Sequence, residues 1–392
     1  MPRGRSGKRP VLVVAGLVGL VAVILAVTAI VAGVPPWLAG RSPSPEGKVP
    51  LPRPDGVPIA YHVVYRVTTG SVVSTEELWV HRPFEAEDLT FSGTAGQGQP
   101  LSSIVTRLGR QLVRAGGTPG VFEPSPAPAS FDVRLDAVAT SAISTRALVA
   151  LGDRVVAGRD CRVYRSARSL SSTTLAGAPT AADHVDSCVD SQGVLLEERR
   201  VVKGKLVQER RAVTVGVGAG VSHSYVTTGT HIPFNQGGGT VVTISDSSRP
   251  PGSPFWELPR PPAGFAHLGR FAVVPPQPGA AQGPSKAALV TAIDDVFVHG
   301  ADAVIVEQGQ TVGAAPFRPP AEGTDVETGR LGRGRLVLSA TASSVTLLTN
   351  RSSFVRVSGT VPPQQLIEVA SSLVQQPPGT IVTVPDLTSD GA

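Results

Sequence analysis

Apolar side chains follow one another without interruption near the N-terminus of the chain. Val11–Val34 is a run of 24 residues that contains no charged side chain. At about 1.5 Å per residue, a helix of this length reaches roughly 36 Å, enough to cross a hydrocarbon core of about 30 Å. We therefore expect residues 11–34 to form one transmembrane helix. The alternative is a cleaved secretory signal, but its apolar core is shorter, about 7 to 15 residues, and the A-x-A type of cleavage pattern does not follow the run.

Alternating apolar and polar residues, typical of half-buried strands, follow further along the chain. They occur in Ala60–Thr68 and Thr75–Arg82, and most densely between residues 153 and 217. The runs in that denser part are Arg159–Ala167, His184–Asp190, Val194–Val202 and Leu206–Val217. Gly193 and Gly204 stand between the last three runs, where a tight hairpin needs positive φ. We predict antiparallel strands joined by hairpins.

Helical spacing of apolar residues is found in two segments. Leu101–Arg114 has apolar residues three and four positions apart with arginines between them, which predicts an amphipathic helix. Leu366–Val374 has the same spacing, and Pro362 and Pro363 fit the first turn of a helix there. The weaker pattern of Leu135–Leu151 leaves helix and strand open.

Clusters of proline and glycine divide the chain. We predict a basic tail (1–10), the transmembrane helix (11–34), a proline-rich stalk (35–56), an antiparallel sheet domain (57–220), a linker (221–252), a smaller mixed α+β domain (253–376) and a polar tail (377–392). Both domains are long enough to bury a core. The expected fold class is α+β after one transmembrane helix.

The distribution of charge restricts location and partners. The formal net charge is +5, and four basic residues precede the apolar run, so the part after it is near +1. Basic residues on the N-terminal side predict a single-pass membrane protein with a cytoplasmic N-terminus and extracytoplasmic domains. A nearly neutral exported part lacks the basic face that nucleic acid requires. The excess of arginine over lysine suits a GC-rich genome, such as that of an actinobacterium.

Cys161 and Cys188 are the only two cysteines. Both follow the apolar run, so we expect them in an oxidising compartment where they form one disulfide. The alternative is two unpaired, buried thiols. Neither cysteine directly follows the apolar run, which argues against attachment of a lipid.

Residues that could perform catalysis are scattered. No H-E-x-x-H, G-x-S-x-G, phosphate-binding loop or paired C-x-x-C motif occurs. His223 and His231 are eight residues apart in a segment rich in Ser, Thr and Gly, which favours a solvated loop over a metal pair. We predict no enzyme activity, no cofactor and no metal site.

Other combinations of polar, glycine and aromatic residues have ordinary structural explanations. Asp183, His184 and Asp186 lie near Ser187, but alternate residues of a strand face opposite sides, which opposes a catalytic triad. Asp294 and Asp295 are expected in a turn with both carboxylates solvated. Gly237–Gly239 is a flexible segment, and Trp79 and Trp256 are expected in the core.

Two parts of the sequence carry a resemblance to a known family. GRDCRVYRSA, followed by DSCVDSQGVLLEERRVVKGKLVQERRAVTV, resembles the lipoprotein-carrier-like (LolA-like) fold, a curved antiparallel half barrel wrapped around helices. FWELPRPPAGFAHLGRF resembles the start of the C-terminal domain of the RseB/MucB regulators of sigma factors. FVRVSGTVPPQQLIEVASSL resembles the final strand and helix of related extracytoplasmic domains of sigma-factor regulators. The departures are the predicted anchor and the Gly- and Pro-rich insertions.

The resemblance implies a non-enzymatic extracytoplasmic sensor that recognises a lipid or hydrophobic peptide and modulates an anti-sigma factor. The alternative is a membrane-tethered carrier of lipid or lipoprotein in the cell envelope. Individual ligand-binding residues are not predicted. The apolar residues expected on one face of the sheet are Val63, Tyr65, Val67, Leu78, Val80, Val163, Leu195, Val201 and Val207.

Overall fold

Eleven strands in the described part of the chain pair into one antiparallel sheet. The computed structural model describes residues 58–83, 85–93, 100–107, 110–115, 122–124, 133–171, 174–218, 240–246, 255–274, 292–310, 318–349 and 353–377. The strands of this first sheet are β1 (Ala60–Thr69), β2 (Val72–His81), β3 (Glu85–Phe91), β4 (Ser102–Arg107), β5 (Arg110–Ala115), β6 (Phe122–Pro124), β7 (Leu148–Val156), β8 (Arg159–Ser166), β9 (His184–Asp190), β10 (Leu195–Val202) and β11 (Lys205–Val217). Their order is β6-β5-β4-β3-β2-β1-β11-β10-β9-β8-β7. Consecutive strands are therefore neighbours, except for β6 and β7 at the two edges.

The hairpins at Gly193 and Gly204 are confirmed. Lys203 and Gly204, with φ of 50° and 73°, form a two-residue turn between the paired residues Val202 and Lys205. Positive φ at both central residues is the type I′ geometry, whose twist matches that of the strands it joins. Gly193 has a φ of 77° and lies between β9 and β10.

Leu101–Arg114 contains a strand pair, so the prediction of an amphipathic helix there is wrong. β4 and β5 pair along their length, with Ile104 opposite Val113. β3 pairs with the other side of β4 and extends the ladder of backbone hydrogen bonds. The apolar residues occur as adjacent pairs, which fit a helical stripe and also a strand with apolar residues on both sides. The neighbouring strand decides between the two structures.

The segment with the weak pattern contains both kinds of element. Helix α1 (Leu135–Ser144) is followed by the start of β7. Val138, Ala139 and Ala142 of α1 are buried in one apolar cluster with residues of β7, β8, β9 and β10. A second apolar cluster of the sheet is built from strand residues and from Val194 beside β10. The helix therefore covers only part of the sheet.

The first sheet curls at the end formed by β7 to β11. β7 contacts β11, although three strands lie between them in the sheet. Neighbouring strands are about 4.8 Å apart, so four steps across a flat sheet would place β7 and β11 roughly 19 Å apart. Register shifts beside Val64 and Ala150 mark irregularities of the kind that bend strands. This curvature agrees with the expected curved antiparallel sheet.

A second antiparallel sheet has eight strands among the described residues. They are β12 (Thr240–Ile244), β14 (Ala266–Val274), β15 (Ala292–His299), β16 (Asp302–Gln310), β17 (Thr324–Glu327), β18 (Arg333–Val337), β19 (Ser343–Leu348) and β20 (Ser353–Gly359), in the order β12-β14-β15-β16-β20-β19-β18-β17. Two further strands, β13 (Phe255–Glu257) and β21 (Val374–Gln376), pair with each other. Residues 240–244 of the predicted linker thus belong to the second sheet.

The predicted C-terminal helix is confirmed as α2 (Pro363–Ser372). Pro363 lies in its first turn, where a missing N–H removes no helical hydrogen bond. Leu366, Val369 and Ala370 are buried against β19 and β20. With two α-helices beside nineteen sheet strands and one strand pair, the described structure is α+β with strands dominating.

Residues of the two sheets contact each other. The guanidinium group of Arg134, at the start of α1, donates to the carbonyl of Ala301 at 2.9 Å and lies 2.9 Å from Asp302. The N–H of Leu175 donates to the carbonyl of Leu338 at 2.7 Å. Polar and backbone bonds therefore tie the first sheet to the second.

The predicted transmembrane helix, basic tail and stalk lie outside the described residues, as do His223, His231 and Gly237–Gly239. Among the helices that the structure describes, none has the length and apolar character needed to span a bilayer.

Candidate functional site

Cys161 and Cys188 are joined by a disulfide between the neighbouring strands β8 and β9. Their Cα atoms are 5.4 Å apart, and both side chains are buried in the apolar cluster of the first sheet. Val163 is the residue directly opposite Cys188, so the bridge runs diagonally across the strand pair. The disulfide links two strands at the curled end of the sheet.

The polar residues around Ser187 have separate structural partners. Asp186 accepts two hydrogen bonds from Arg165, at 2.7 and 2.9 Å. The Nδ1 atom of His184 lies 2.9 Å from the carbonyl oxygen of Thr180. Asp183 accepts a bond from the N–H of Lys203. These bonds connect strands and turns and do not form a relay to Ser187.

Asp294 and Asp295 lie within β15, so the expectation of a solvated turn is wrong. Asp295 is 3% exposed and accepts hydrogen bonds at 2.7 and 2.9 Å from Arg270, which is 2% exposed. Arg270 also donates to Glu257 and stacks over the ring of Phe255. Cross-strand pairing of β14 with β15 places Arg270 opposite Asp295. The pair is a buried structural ion pair of the second sheet.

The apolar residues expected on one face of the first sheet are largely packed inside the protein. Val63, Tyr65, Leu78, Val80 and Val163 are at most 6% exposed and belong to one apolar cluster. Trp79 stacks on His62, and Trp256 packs at the edge of the second core, in line with the expected structural roles. The buried strand residues are core residues in this structure.

A cleft of about 490 Å³ opens on the first sheet where β1, β2 and β11 meet. Val73 and Val213 in its lining are exposed. The register shift of β1 against β11 occurs between Val64 and Tyr65, which are both in the lining. The complete lining is Val64, Tyr65, Arg66, Val73, Ser74, Thr75, Ser92, Gly93 and Val213. The cleft thus combines valine side chains and hydroxyl groups with one charged side chain, Arg66.

Arg66 is available for a ligand. It is exposed and makes no ion pair or hydrogen bond with any residue that the structure describes. Its cross-strand neighbour is Arg211, which donates to Glu197 at 3.2 Å. Glu197 is 2% exposed and also bonds Arg154, so Arg154 and Arg211 share one carboxylate. This network of Arg154, Arg211 and Glu197 holds more positive than negative charge.

A buried cluster with the opposite balance of charge occupies the same strands. Arg210 of β11 is 9% exposed, donates from Nε to Glu76 Oε2 at 2.9 Å and stacks 3.8 Å from the ring centre of Tyr65. The hydroxyl of Tyr65 donates to the carbonyl of Leu195 at 2.6 Å. Glu198 lies directly opposite Arg210 on β10 and accepts a hydrogen bond from Ser169 at 2.7 Å.

The electrostatics of this buried cluster perturb its titrating groups. Burial raises the pKa of the Asp88 carboxyl on β3 well above its usual value, and the negative charge of Glu76 raises it further. Burial also raises the pKa of Glu198 and of Tyr65. Burial lowers the pKa of Arg210, but Glu76, Tyr65, Asp88 and Glu198 together raise it by more, so its guanidinium stays charged.

No sequence motif marks Arg66, Arg210, Glu76, Asp88 or Glu198 as functional residues. The strand runs around 197–211 contain charged residues, but the alternation of apolar and polar positions alone assigns them to a solvent-exposed face. Backbone pairing between β1 and β11, whose paired residues are about 145 positions apart in sequence, brings these charged residues close to one another. No group of three His, Cys, Asp or Glu side chains in the described ranges has the arrangement of a metal site.

The described structure is that of a strand-rich, two-sheet protein with an open cleft on its first sheet. The sequence matches no family model and no curated protein. Among solved structures it is similar to a chain of the Pseudomonas aeruginosa MucA/MucB complex, at 15% identity over 82% of this chain and 94% of that chain, with a TM-score of 0.30. It is also similar to MucB, at 14% identity over 80% of this chain and 91% of that chain, with a TM-score of 0.26. A DUF1329 family protein from Desulfovibrio piger is 11% identical over 43% of this chain and 89% of its own, with a TM-score of 0.23.

Proposed function

We propose that the chain is a membrane-anchored, extracytoplasmic regulatory binding protein without enzyme activity. Its cleft between β1, β2 and β11 binds an extended segment of a partner protein that carries apolar side chains and a carboxylate. The observation that supports this most directly is the exposed guanidinium group of Arg66, which bonds no described residue and lies beside exposed valines in the cleft lining.

The chemistry of the lining favours an amphiphilic segment. Val73 and Val213 are 44% and 58% exposed, and covering a half-exposed valine gains on the order of 1 kcal/mol. The hydroxyls of Ser74, Thr75 and Ser92 can bond to the polar backbone of an extended segment. A volume of about 490 Å³ lies within the usual range of ligand pockets, roughly 300 to 1,000 Å³.

The charge around the cleft favours an acidic partner. Arg66 has no ion pair with the residues that the structure describes, and Arg211 shares its carboxylate partner with Arg154. A carboxylate of a partner could therefore pair with Arg66 without first breaking a bond inside the protein. Glu77 on β2 lies opposite Val64 of the lining, so we expect the carboxylate of the partner at the Arg66 end of the cleft.

The resemblance to the RseB/MucB regulators suggests the identity of the partner. We propose that it is the outer segment of a membrane anti-sigma factor, whose release or retention depends on occupancy of the cleft. The predicted anchor would keep the two proteins in one membrane and raise their effective concentration. A lipid occupant would instead support the tethered carrier.

Site-specific photocross-linking in the native membrane tests this proposal. A cross-linking amino acid at Val73 should capture a membrane protein through an acidic outer segment, which mass spectrometry of the joined peptides identifies. The same amino acid at Leu268, which is 48% exposed on the second sheet, is the matched control and should not capture that segment.

Charge reversal supplies the second arm of the test. Arg66→Glu should reduce the cross-link at least tenfold, because a repulsive pair replaces an attractive one, and a compensating acid-to-base change in the captured segment should restore it. Cross-links to lipid alone, or capture that is unchanged by Arg66→Glu, would contradict the proposal.

A further inference from the structure

Three carboxyl groups surround one guanidinium group within the first sheet. Glu76, Asp88 and Glu198 come from β2, β3 and β10, and Arg210 comes from β11. Leu78 is the residue opposite Asp88, so Glu76 and Asp88 are diagonal neighbours on adjacent strands. Glu76 binds Arg210 through both of its oxygens, and Glu198 lies opposite Arg210. Five neighbouring strands, including β1 with Tyr65, meet at this cluster.

Full ionisation of these groups would leave an uncompensated negative charge. Three carboxylates and one guanidinium carry a net charge of −2, and the site is largely shielded from water. The Oδ1 atom of Asp88 is buried and has no hydrogen-bond partner among the residues that the structure describes. An ionised oxygen in such a place is costly, whereas a protonated Asp88 can donate a hydrogen bond to Glu76.

We propose that this cluster is a pH-responsive element of the first sheet. It takes up a proton on Asp88 as the surroundings become acidic, and the proton strengthens the junction of β1, β2, β3, β10 and β11. The extracytoplasmic position expected for these strands would expose the element to changes of external pH. This inference does not depend on the proposed function of the cleft.

The groups that face Asp88 from the packed strands agree with this assignment. Glu76 opposes ionisation of Asp88, and Arg210 favours it but is already engaged by Glu76. Glu198 is held by Ser169 and Arg210, yet burial still raises its pKa. Tyr65 stays neutral because burial raises the pKa of its hydroxyl, and its O–H is donated to a backbone carbonyl.

The direction of the pH effect follows from linkage between protonation and folding. An acid whose pKa is higher in the folded protein than in the unfolded chain binds its proton more tightly when folded. The contribution of the bound proton to stability is complete below the pKa of Asp in the unfolded chain, about 3.9. It is lost as pH rises through the pKa of the same group in the folded protein. Stability should therefore decrease with rising pH in the window that begins near pH 4 and extends upward to the raised pKa.

Thermal unfolding of the full chain in detergent micelles, followed by tryptophan fluorescence between about pH 5 and about pH 8, tests the inference. The wild-type Tm should fall as pH rises. Asp88→Asn imitates the protonated acid, because its amide can donate to Glu76, and should flatten this slope. Asp325→Asn, at a side chain 56% exposed on the second sheet, is the matched control and should keep the wild-type slope.

Equal slopes for wild type and Asp88→Asn would overturn the inference. If Asp88→Asn does not fold, Glu76→Gln decides in its place, because the charge of Glu76 opposes ionisation of Asp88 and its removal should lower the raised pKa. A reduced slope in that variant supports a proton-binding cluster, and an unchanged slope refutes it. Neither measurement uses a partner, so a failure here is distinct from a failure of the cleft to bind.

Discussion

Replacing Arg134 by methionine should uncouple the two sheets. Arg134 is 3% exposed, and its guanidinium group donates to the carbonyl of Ala301, lies 2.9 Å from Asp302 and bonds Asp136 at 3.3 Å. Methionine keeps most of the apolar stem and removes the charge. Asp136, which is 8% exposed, then loses a cationic partner in a place with little access to water.

The expected loss of stability follows from these exposures. Removing one partner of a buried ion pair costs about 3 to 5 kcal/mol, since the other charge stays buried. Asp302 is 29% exposed and water can partly solvate it, which places the expected loss near the lower end, about 3 kcal/mol. Arg165→Met is the matched control, because Arg165 is 28% exposed and pairs with Asp186 within the first sheet. It should cost about 1 kcal/mol or less.

Separate fluorescent reporters can follow the two sheets. Trp79 lies in β2 of the first sheet, and Trp256 lies in β13 and packs against the core of the second sheet. With Trp37 and one of these two replaced by phenylalanine, the remaining tryptophan reports urea unfolding of one sheet. The two midpoints should coincide in the parent protein and separate with Arg134→Met. Coincident midpoints and a loss below about 1 kcal/mol would refute the proposed coupling.

Three other substitutions test the packing and the turns by the same unfolding measurement. Replacing Cys161 and Cys188 by serine should cost about 3 kcal/mol, because the disulfide closes a loop with a sequence separation of 27. Reduction of the disulfide in the parent protein should lower the free energy of unfolding by the same amount. Gly204→Ala should cost roughly 1 kcal/mol, because alanine is strained at the positive φ of this position. Gly193→Ala should cost more, since its Cβ would also lie 3.0 Å from a backbone carbonyl oxygen. Equal losses for the two variants would refute the added clash. Leu366→Ala in α2, at a side chain that is 0% exposed, should cost about 3 kcal/mol, and a loss under about 1 kcal/mol would contradict its core position.

Local signals predicted some elements correctly. The hairpin at Lys203 and Gly204 follows from the need for positive φ, and α2 follows from its apolar spacing and from Pro363 in its first turn. Leu101–Arg114 was predicted wrongly because its adjacent apolar pairs satisfy two periodicities, and only pairing with β3 selects strands. Asp295 was predicted in a turn because Arg270, its partner, lies 25 positions away in the sequence.

The cleft and the charged cluster could not be predicted in the same way. Arg66 and Arg211 are separated by 145 positions, yet they are cross-strand neighbours. Arg210 and Glu76 are 134 positions apart and form a bidentate pair. Alternation along a strand shows that residues share a face, but it does not show which strand lies beside it.

The sequence by itself determined the strand-rich character of the chain, the tight turns and the C-terminal helix, because these depend on backbone preferences and short-range spacing. The tertiary structure decided which charges are buried, which charged side chains pair across strands and where the two sheets touch. These properties depend on the order of strands in a sheet, and a contact between β1 and β11 leaves no periodic signal in either strand.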